Sequence, residues 1–148
     1  MATAKQQLGS WGEQLIVKKC SCPKCKRSKT FKRLPTNFKC ADIICDFCGF
    51  LAQIKTMSAS DVTPLPKQLL GAAWGPQKER MDAAIYFALF LVLKTTDAHA
   101  IYYLPTDFQN PALFSARKPL SDNARRKGWQ GFMYVLSAVP DGAFVRLL

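Results

Sequence analysis

Ala41-Asp-Ile-Ile-Cys45-Asp-Phe-Cys48-Gly-Phe-Leu-Ala-Gln53-Ile-Lys55-Thr56 is the stretch whose reading decides the fold. Two runs of strand character, Phe38 to Ile44 and Phe50 to Thr56, flank a turn that carries a Cys-x-x-Cys pair, and this predicts a hairpin. Side chains alternate along a strand, so Gln53 and Lys55 share one face while Ile54 points into the core. Asp42, on the first strand, can lie beside that pair. A carboxylate, a second oxygen ligand and a lysine in one place suit metal-assisted phosphodiester hydrolysis. Asp42 and the Gln53 side-chain oxygen would hold a hard divalent cation, with the Ile54 carbonyl as a further ligand. Lys55 would orient the attacking water or steady the developing charge. Taken alone the pattern is unspecific, because Asp, Gln and Lys are common on strands.

The turn itself belongs to a second constellation. Cys22-Pro-Lys-Cys25 and Cys45-Asp-Phe-Cys48 are two Cys-x-x-Cys pairs separated by 19 residues, a spacing that fits a tetrahedral zinc ribbon. Four thiolates leave no open position for water, so this zinc is expected to be structural. Incidental buried cysteines or a redox pair are the alternative. Cys20, two residues before Cys22, could compete for the metal. Cys20 and Cys40 read better as buried thiols, since an unreactive Cys behaves as a small hydrophobe.

The formal charge is +11, from 21 basic and 10 acidic side chains. Its distribution says more than its size. Between Glu13 and Asp42 no acidic residue interrupts Lys18, Lys19, Lys24, Lys26, Arg27, Lys29, Lys32, Arg33 and Lys39, and a second cluster gathers Arg117, Lys118, Arg125, Arg126 and Lys127. A polyanion such as nucleic acid is the natural partner of two such patches around a zinc motif. Lys24, Lys26, Arg27, Arg125 and Arg126 are the candidate phosphate contacts, with a merely solvated surface as the competing reading. A membrane-binding helix fits less well, because no broad apolar helix face accompanies either cluster. The longest apolar run, Ala83 to Leu93, is too short for a bilayer, which needs about 20 residues. The N-terminal Met1-Ala-Thr-Ala-Lys-Gln-Gln lacks the apolar core of a signal peptide. The expected location is the cytoplasm, where thiols stay reduced and bind metal more often than they form disulfides.

Outward from the hairpin, Ala2 to Lys19 reads as a first helix, with Leu8, Trp11, Leu15 and Ile16 at helical spacing. A metal knuckle and a basic loop to Asn37 follow. Gln68 to Ala84 reads as a helix, with a possible break at Gly75-Pro76. Tyr86 to Leu93 and Ala98 to Leu104 have the length and composition of buried strands. Ser121 to Lys127 reads as a short capped helix. Gly131 to Leu136 and Ala143 to Leu148 read as a last strand pair around Pro140-Asp-Gly142. His99 reads as a packed or surface residue, and Trp129 as core. The sum is a single α/β (α+β) domain, a mixed sheet flanked by helices, over the 148 residues.

A family resemblance sharpens the function. Cys22-Pro-Lys-Cys25, the Ala41 to Cys48 block, Gln53-Ile-Lys55 and above all Arg117-Lys-Pro-Leu-Ser-Asp-Asn-Ala-Arg-Arg-Lys-Gly-Trp129-Gln-Gly131 resemble the DpnI / Dam-replacing family of restriction endonucleases. The resemblance runs from about Glu13 to about Val145. It implies a nuclease core of the PD-(D/E)xK type with a four-cysteine zinc insertion. It also implies magnesium-dependent cleavage of double-stranded DNA, typically at adenine-methylated GATC sites. Carried over, Asp42 is the metal-binding aspartate, Gln53 the second ligand position and Lys55 the catalytic lysine. Glu13, on the first helix, matches an acidic residue that supports the site. Three departures stand out. Ala41 replaces a proline that contributes no chemistry. Gln53 replaces a glutamate and loses a charge, as in the similar Mrr-like nucleases. The C-terminal winged-helix domain of the DpnI type is not reached before Leu148, so the chain reads as a catalytic core or a minimal relative. Outside this resemblance, a non-catalytic zinc-ribbon DNA-binding module with a degenerate nuclease site is the other function the residues allow.

Overall fold

Thr3 starts the first helix. Its hydroxyl accepts the Gln6 N–H at 3.1 Å while its own N–H donates to Gln6 Oε1 at 2.9 Å, a reciprocal cap that satisfies two otherwise unpaired donors. Helix α1 then runs Ala4–Lys19 and ends where the Cys20 N–H donates to the Ile16 carbonyl. The computed structural model describes residues 2–36, 38, 40–117 and 131–148. It divides into two compact units, residues 1–64, 87–105 and 144–148 forming one, and 65–86 and 106–143 the other.

The first unit is built on a six-stranded mixed sheet. Its strands are β1 (Phe31–Arg33), β2 (Ile43–Cys45), β3 (Leu51–Ser58), β5 (Ala88–Lys94), β6 (His99–Leu104) and β9 (Val145–Arg146), in the spatial order β1-β2-β3-β5-β6-β9. Only β3 and β5 run parallel, with Ile54 opposite Phe90 and Lys55 opposite Leu91. Strand β5 (Ala-Leu-Phe-Leu-Val-Leu-Lys) is buried on both faces up to its last residue, as a central strand in a mixed sheet requires. Helix α1 packs on the face that carries Ile43, Ala52, Ile54, Phe90 and Val92, and buries Ile16 there. The fold class is thus α+β around a central mixed sheet, as the sequence predicts. Among the described residues no helix is long and apolar enough to cross a membrane.

Among the described residues the second unit holds β4 (Gln68–Gly71), α2 (Trp74–Asp82), β7 (Phe114–Ala116) and β8 (Phe132–Val135), with these three strands in the order β4-β8-β7. Its core is aromatic, with Phe114, Phe132 and Tyr134 in mutual ring contact.

Four local expectations need correction. The helix expected over residues 68–84 begins only at Trp74, and its first residues form strand β4. Gly71 lies directly against the Phe132 ring, where any side chain would collide, and Pro76 is tolerated because it falls in the first helical turn. The basic loop contains strand β1, which pairs with β2. The first hairpin strand, expected from Phe38, is confined to Ile43–Cys45, because Cys40 takes a positive φ of 66° and turns the chain. Finally, the two C-terminal strands do not pair with each other. A 3-10 turn at Leu136–Ala138 follows β8, which pairs with β4 and β7, while β9 pairs with β6. The expected helix at Ser121 to Lys127 and Trp129 lie outside the described residues.

One contact sets the distance between helix and sheet. A Cβ on Gly12 would overlap the Thr56 side chain, whereas one on Gly9 meets nothing within 4 Å. Gly12→Ala should therefore force α1 away from β3 and cost about 1–3 kcal/mol in denaturant melts. Gly9→Ala should be neutral or stabilising, because it only removes the helix penalty of glycine.

Candidate active site and metal centre

The two Cys-x-x-Cys pairs fold into two copies of the same knuckle. In the first, the Cys22 N–H donates to the Arg27 carbonyl and the Lys26 N–H donates back to the Cys22 carbonyl, both at 2.9 Å. In the second, the Cys45 N–H donates to Phe50 and the Gly49 N–H to Cys45, both at 2.8 Å. Each turn closes through a residue with positive φ, Lys26 at 66° and Gly49 at 80°. Glycine suits that position and lysine is strained in it. The result brings Cys22 and Cys48 Sγ to 3.5 Å and Cys25 and Cys45 Sγ to 3.7 Å, with all four sulfurs within 4.8 Å of one another. Zinc–sulfur bonds of about 2.3 Å in a regular tetrahedron put sulfurs about 3.8 Å apart. The cluster is therefore compatible with a structural zinc ion.

The surroundings favour thiolates unevenly. Burial alone would raise Cys45, but the Thr30 hydroxyl and the Cys48 and Phe47 amides bring it down to about 6. Burial pushes Cys22 up to about 12. A bound cation stabilises deprotonated thiols directly. Cys20 stays outside the cluster, with its thiol raised to about 11 by burial, and Cys40 is also outside it. Neither of these two thiols thus joins the four converging sulfurs.

The knuckle hands the chain to the candidate catalytic residues. Strand β2 (Ile43–Cys45) follows directly on Asp42, and β3 returns with Ile43 opposite Ala52 and Ile44 opposite Leu51. The ladder then stops. The Asp42 N–H donates to the Ala52 carbonyl at 2.9 Å, and the Asp42 carboxylate takes the next donor, the Ile54 N–H, at 2.7 Å. A side chain thus replaces a strand carbonyl where β2 and β3 part. Within an extended residue the N–H and C=O point to the same side, so the Ile54 carbonyl faces the side occupied by the Asp42 carboxylate.

Burial makes this a costly place for charge. The Asp42 carboxyl is raised above its ordinary value by burial, against the lowering effects of the Ile54 N–H, Lys55 and Arg33. Lys55 is lowered by burial and by Lys5, with Asp42 and Glu13 opposing. Glu13 is raised by burial and by Asp42, while Arg33 and Lys55 act to lower it. The helix and the hairpin therefore bring Glu13, Asp42 and Lys55 into one electrostatic neighbourhood. Gln53 is 7% exposed on the same strand, two residues from Lys55 and so on the same side of β3.

The model of the DpnI Dam-replacing family matches residues 2–148. The chain belongs to the Dam-replacing family. A solved structure described as a restriction endonuclease in complex with substrate DNA is also similar, at 13% identity and a TM-score of 0.46, covering 93% of this chain and 78% of that one. By family, this is a restriction-like nuclease.

Within this Dam-replacing chain, the candidate phosphate contacts divide. Lys24, Lys26 and Arg27 are exposed around the first knuckle, whereas Arg125 and Arg126 lie outside the described residues. Arg33 was not singled out as a site residue by its sequence pattern. Its Nη2 stands 3.6 Å from Glu13 Oε2 and donates to Ser10 Oγ at 3.3 Å, so it neutralises the acid that α1 presents. The only sequence signal was its place in the basic run. Its strand, β1, brings it alongside Asp42, whose carbonyl accepts the Leu34 N–H at 2.8 Å.

Two measurements check this description. Cobalt substituted for zinc should give the thiolate charge-transfer bands of a tetrahedral four-sulfur site in wild type and Cys20→Ser, and lose them in Cys45→Ser together with thermal stability. A Cys20→Ser protein that loses the bands would reassign the ligand set. The second concerns pH. A carboxyl whose pKa is raised on folding adds stability below its unfolded pKa and loses it as pH rises through the folded value. In magnesium-free urea melts, Asp42→Asn should therefore be more stable than wild type at neutral pH. Wild type should recover the difference as the pH falls through the raised folded-state value toward the ordinary carboxylate range. The reverse order at neutral pH would mean that Lys55 and Arg33 outweigh burial.

Proposed function

We propose that this protein is a magnesium-dependent endodeoxyribonuclease that cuts double-stranded DNA, directed at adenine-methylated GATC-type sites. The observation that carries the reading is the Asp42 carboxylate held on the Ile54 N–H at 2.7 Å, beside the strand that bears Gln53 and Lys55. Oxygen donors dominate the place, as a hard cation requires. Asp42, the Gln53 amide oxygen and the Ile54 carbonyl are the residues that would hold magnesium, with one formal negative charge among the three. When bound, the cation supplies polarisation of the phosphate and acidification of a water.

The chain's own residues do the rest. Asp42 is fixed by its backbone hydrogen bond, so its carboxylate needs no reorganisation to act. Lys55 is poised by burial and by the neighbouring Lys5 to surrender a proton more readily than an exposed lysine, which suits a group that orients water and then steadies a phosphate oxygen. Glu13, paired with Arg33, flanks Asp42 and Lys55 on the helix side of the site. Lys24, Lys26, Arg27, Arg125 and Arg126 hold the duplex backbone, a role that makes affinity fall steeply with salt.

Cleavage of fully methylated and unmethylated copies of one plasmid, with magnesium, tests the reading. Wild type should cut the methylated copy, and Asp42→Ala and Lys55→Ala should each lose at least about a hundredfold in rate. Gln53→Glu restores a charge and should lower the magnesium concentration needed for half-maximal cutting. If every protein binds DNA and none cuts either plasmid, the chain is a DNA-binding zinc module instead. If Asp42→Ala cuts as well as wild type, the site is elsewhere.

A further inference from the structure

The zinc lobe exposes an aromatic ring that the core does not explain. Phe47 sits at the tip of the second knuckle and is 59% exposed. The guanidinium carbon of Arg27, from the first knuckle, lies 3.8 Å from the centre of its ring. Each partner is pinned by its own turn. The Arg27 carbonyl accepts the Cys22 N–H, while Phe47 lies in the turn closed by the Gly49 N–H on Cys45, next to Asp46, whose N–H donates to the Thr30 carbonyl. The stacked pair therefore bridges the two halves of the metal centre.

The same stretch of chain carries Lys24, Lys26, Lys29 and Lys32, and Asp46 is the acid next to Phe47. A zinc tetrathiolate itself carries a net charge of −2, so part of this positive charge balances the metal centre. The basic residues still outnumber what that balance consumes. An arginine that stacks by its flat face keeps its in-plane N–H donors directed outward, and those donors match a phosphate in a bidentate geometry. Stacking also removes most of the rotamer freedom that a free arginine loses on binding.

We propose that Phe47 and Arg27 form a preorganised phosphate clamp on the zinc lobe, with Arg27 gripping the duplex backbone and Phe47 holding the guanidinium plane in place. Phe47 is a positioning residue in this arrangement. The clamp deepens the nuclease reading, on which it rests, by giving the Arg27 phosphate contact a positioning partner, and it makes zinc a requirement for affinity as well as for the shape of the hairpin.

The test measures binding without cutting. Zinc-loaded full chain carrying Asp42→Ala is titrated into a short fluorescein-labelled duplex at several salt concentrations, and anisotropy is read. Adding Arg27→Ala should weaken binding about tenfold at low salt and reduce the salt slope by about one. Phe47→Leu keeps an apolar side chain without a ring face; it should weaken binding about threefold with the slope unchanged, and Phe47→Tyr should restore it. Arg27→Ala with Phe47→Leu should be no weaker than Arg27→Ala alone, the signature of two residues acting as one unit. Because Phe47 is exposed, melting temperatures should not change. Affinities that multiply in the double variant, or a Phe47→Leu protein that binds like its parent, would overturn the clamp whether or not wild type cuts plasmid. Coupling in a protein that never cuts would leave the clamp standing and remove the nuclease.

Discussion

Where strand β2 leaves strand β3, the Ile54 N–H would have no partner, and the Asp42 carboxylate takes it at 2.7 Å. This hydrogen bond does two jobs. It satisfies a backbone donor that would cost free energy if left bare inside the protein, and it fixes a carboxylate at the mouth of the opening that the departing strand creates. The rest of the first unit follows from it. The hairpin must be in this register, the knuckle must hold its turn, and α1 must lie close enough for Glu13 to feel the same field.

The price of that placement is legible in the directions of three ionisations. Asp42 and Glu13 are raised and Lys55 is lowered, with burial as the leading cause each time. Perturbed groups of opposite type gathered in one place are a mark of functional sites. The apolar sheet beneath them supplies the compensating stability. Ile43, Phe90, Val92 and Ile101 are all fully buried, as is Ile16 on the helix above them. Site and scaffold use opposite faces of the same few residues, since β3 sends Ile54 to the core and Lys55 toward the charges.

Much of this could be read from the sequence because it rests on local rules. The cysteine spacing picked out the four residues whose sulfurs converge, and strand alternation separated Ile54 from Gln53 and Lys55. The hairpin followed from the turn between them. What escaped was set by partners distant in the chain. Gln68 to Gly71 has no strand signature of its own; it is a strand because β8 pairs with it and because Gly71 leaves room for Phe132. Phe31 to Arg33 was hidden in a run of charge, and it becomes a strand by pairing with Ile43 to Cys45. The final strands follow the same logic, each paired with segments far from the turn that separates them. Arg33 was visible as charge but not as a neighbour of Glu13, since only the packing of α1 beside β1 brings them together.

The parallel contact between β3 and β5 has a consequence for the order of assembly. Parallel neighbours need a long crossover, and here residues 59–87 supply it, carrying β4 and α2 into the second unit on the way. The β1-β2-β3 hairpins and both knuckles, by contrast, are closed by short loops within residues 20–58. Short loops close fast and distant pairings close slowly. The segment that carries both knuckles, Asp42, Gln53 and Lys55 is therefore held by local pairings, whereas the β3–β5 pairing closes a long loop. One edge of β3 is thus filled early in the chain by its hairpin partner β2, and the other only by β5, across the whole crossover.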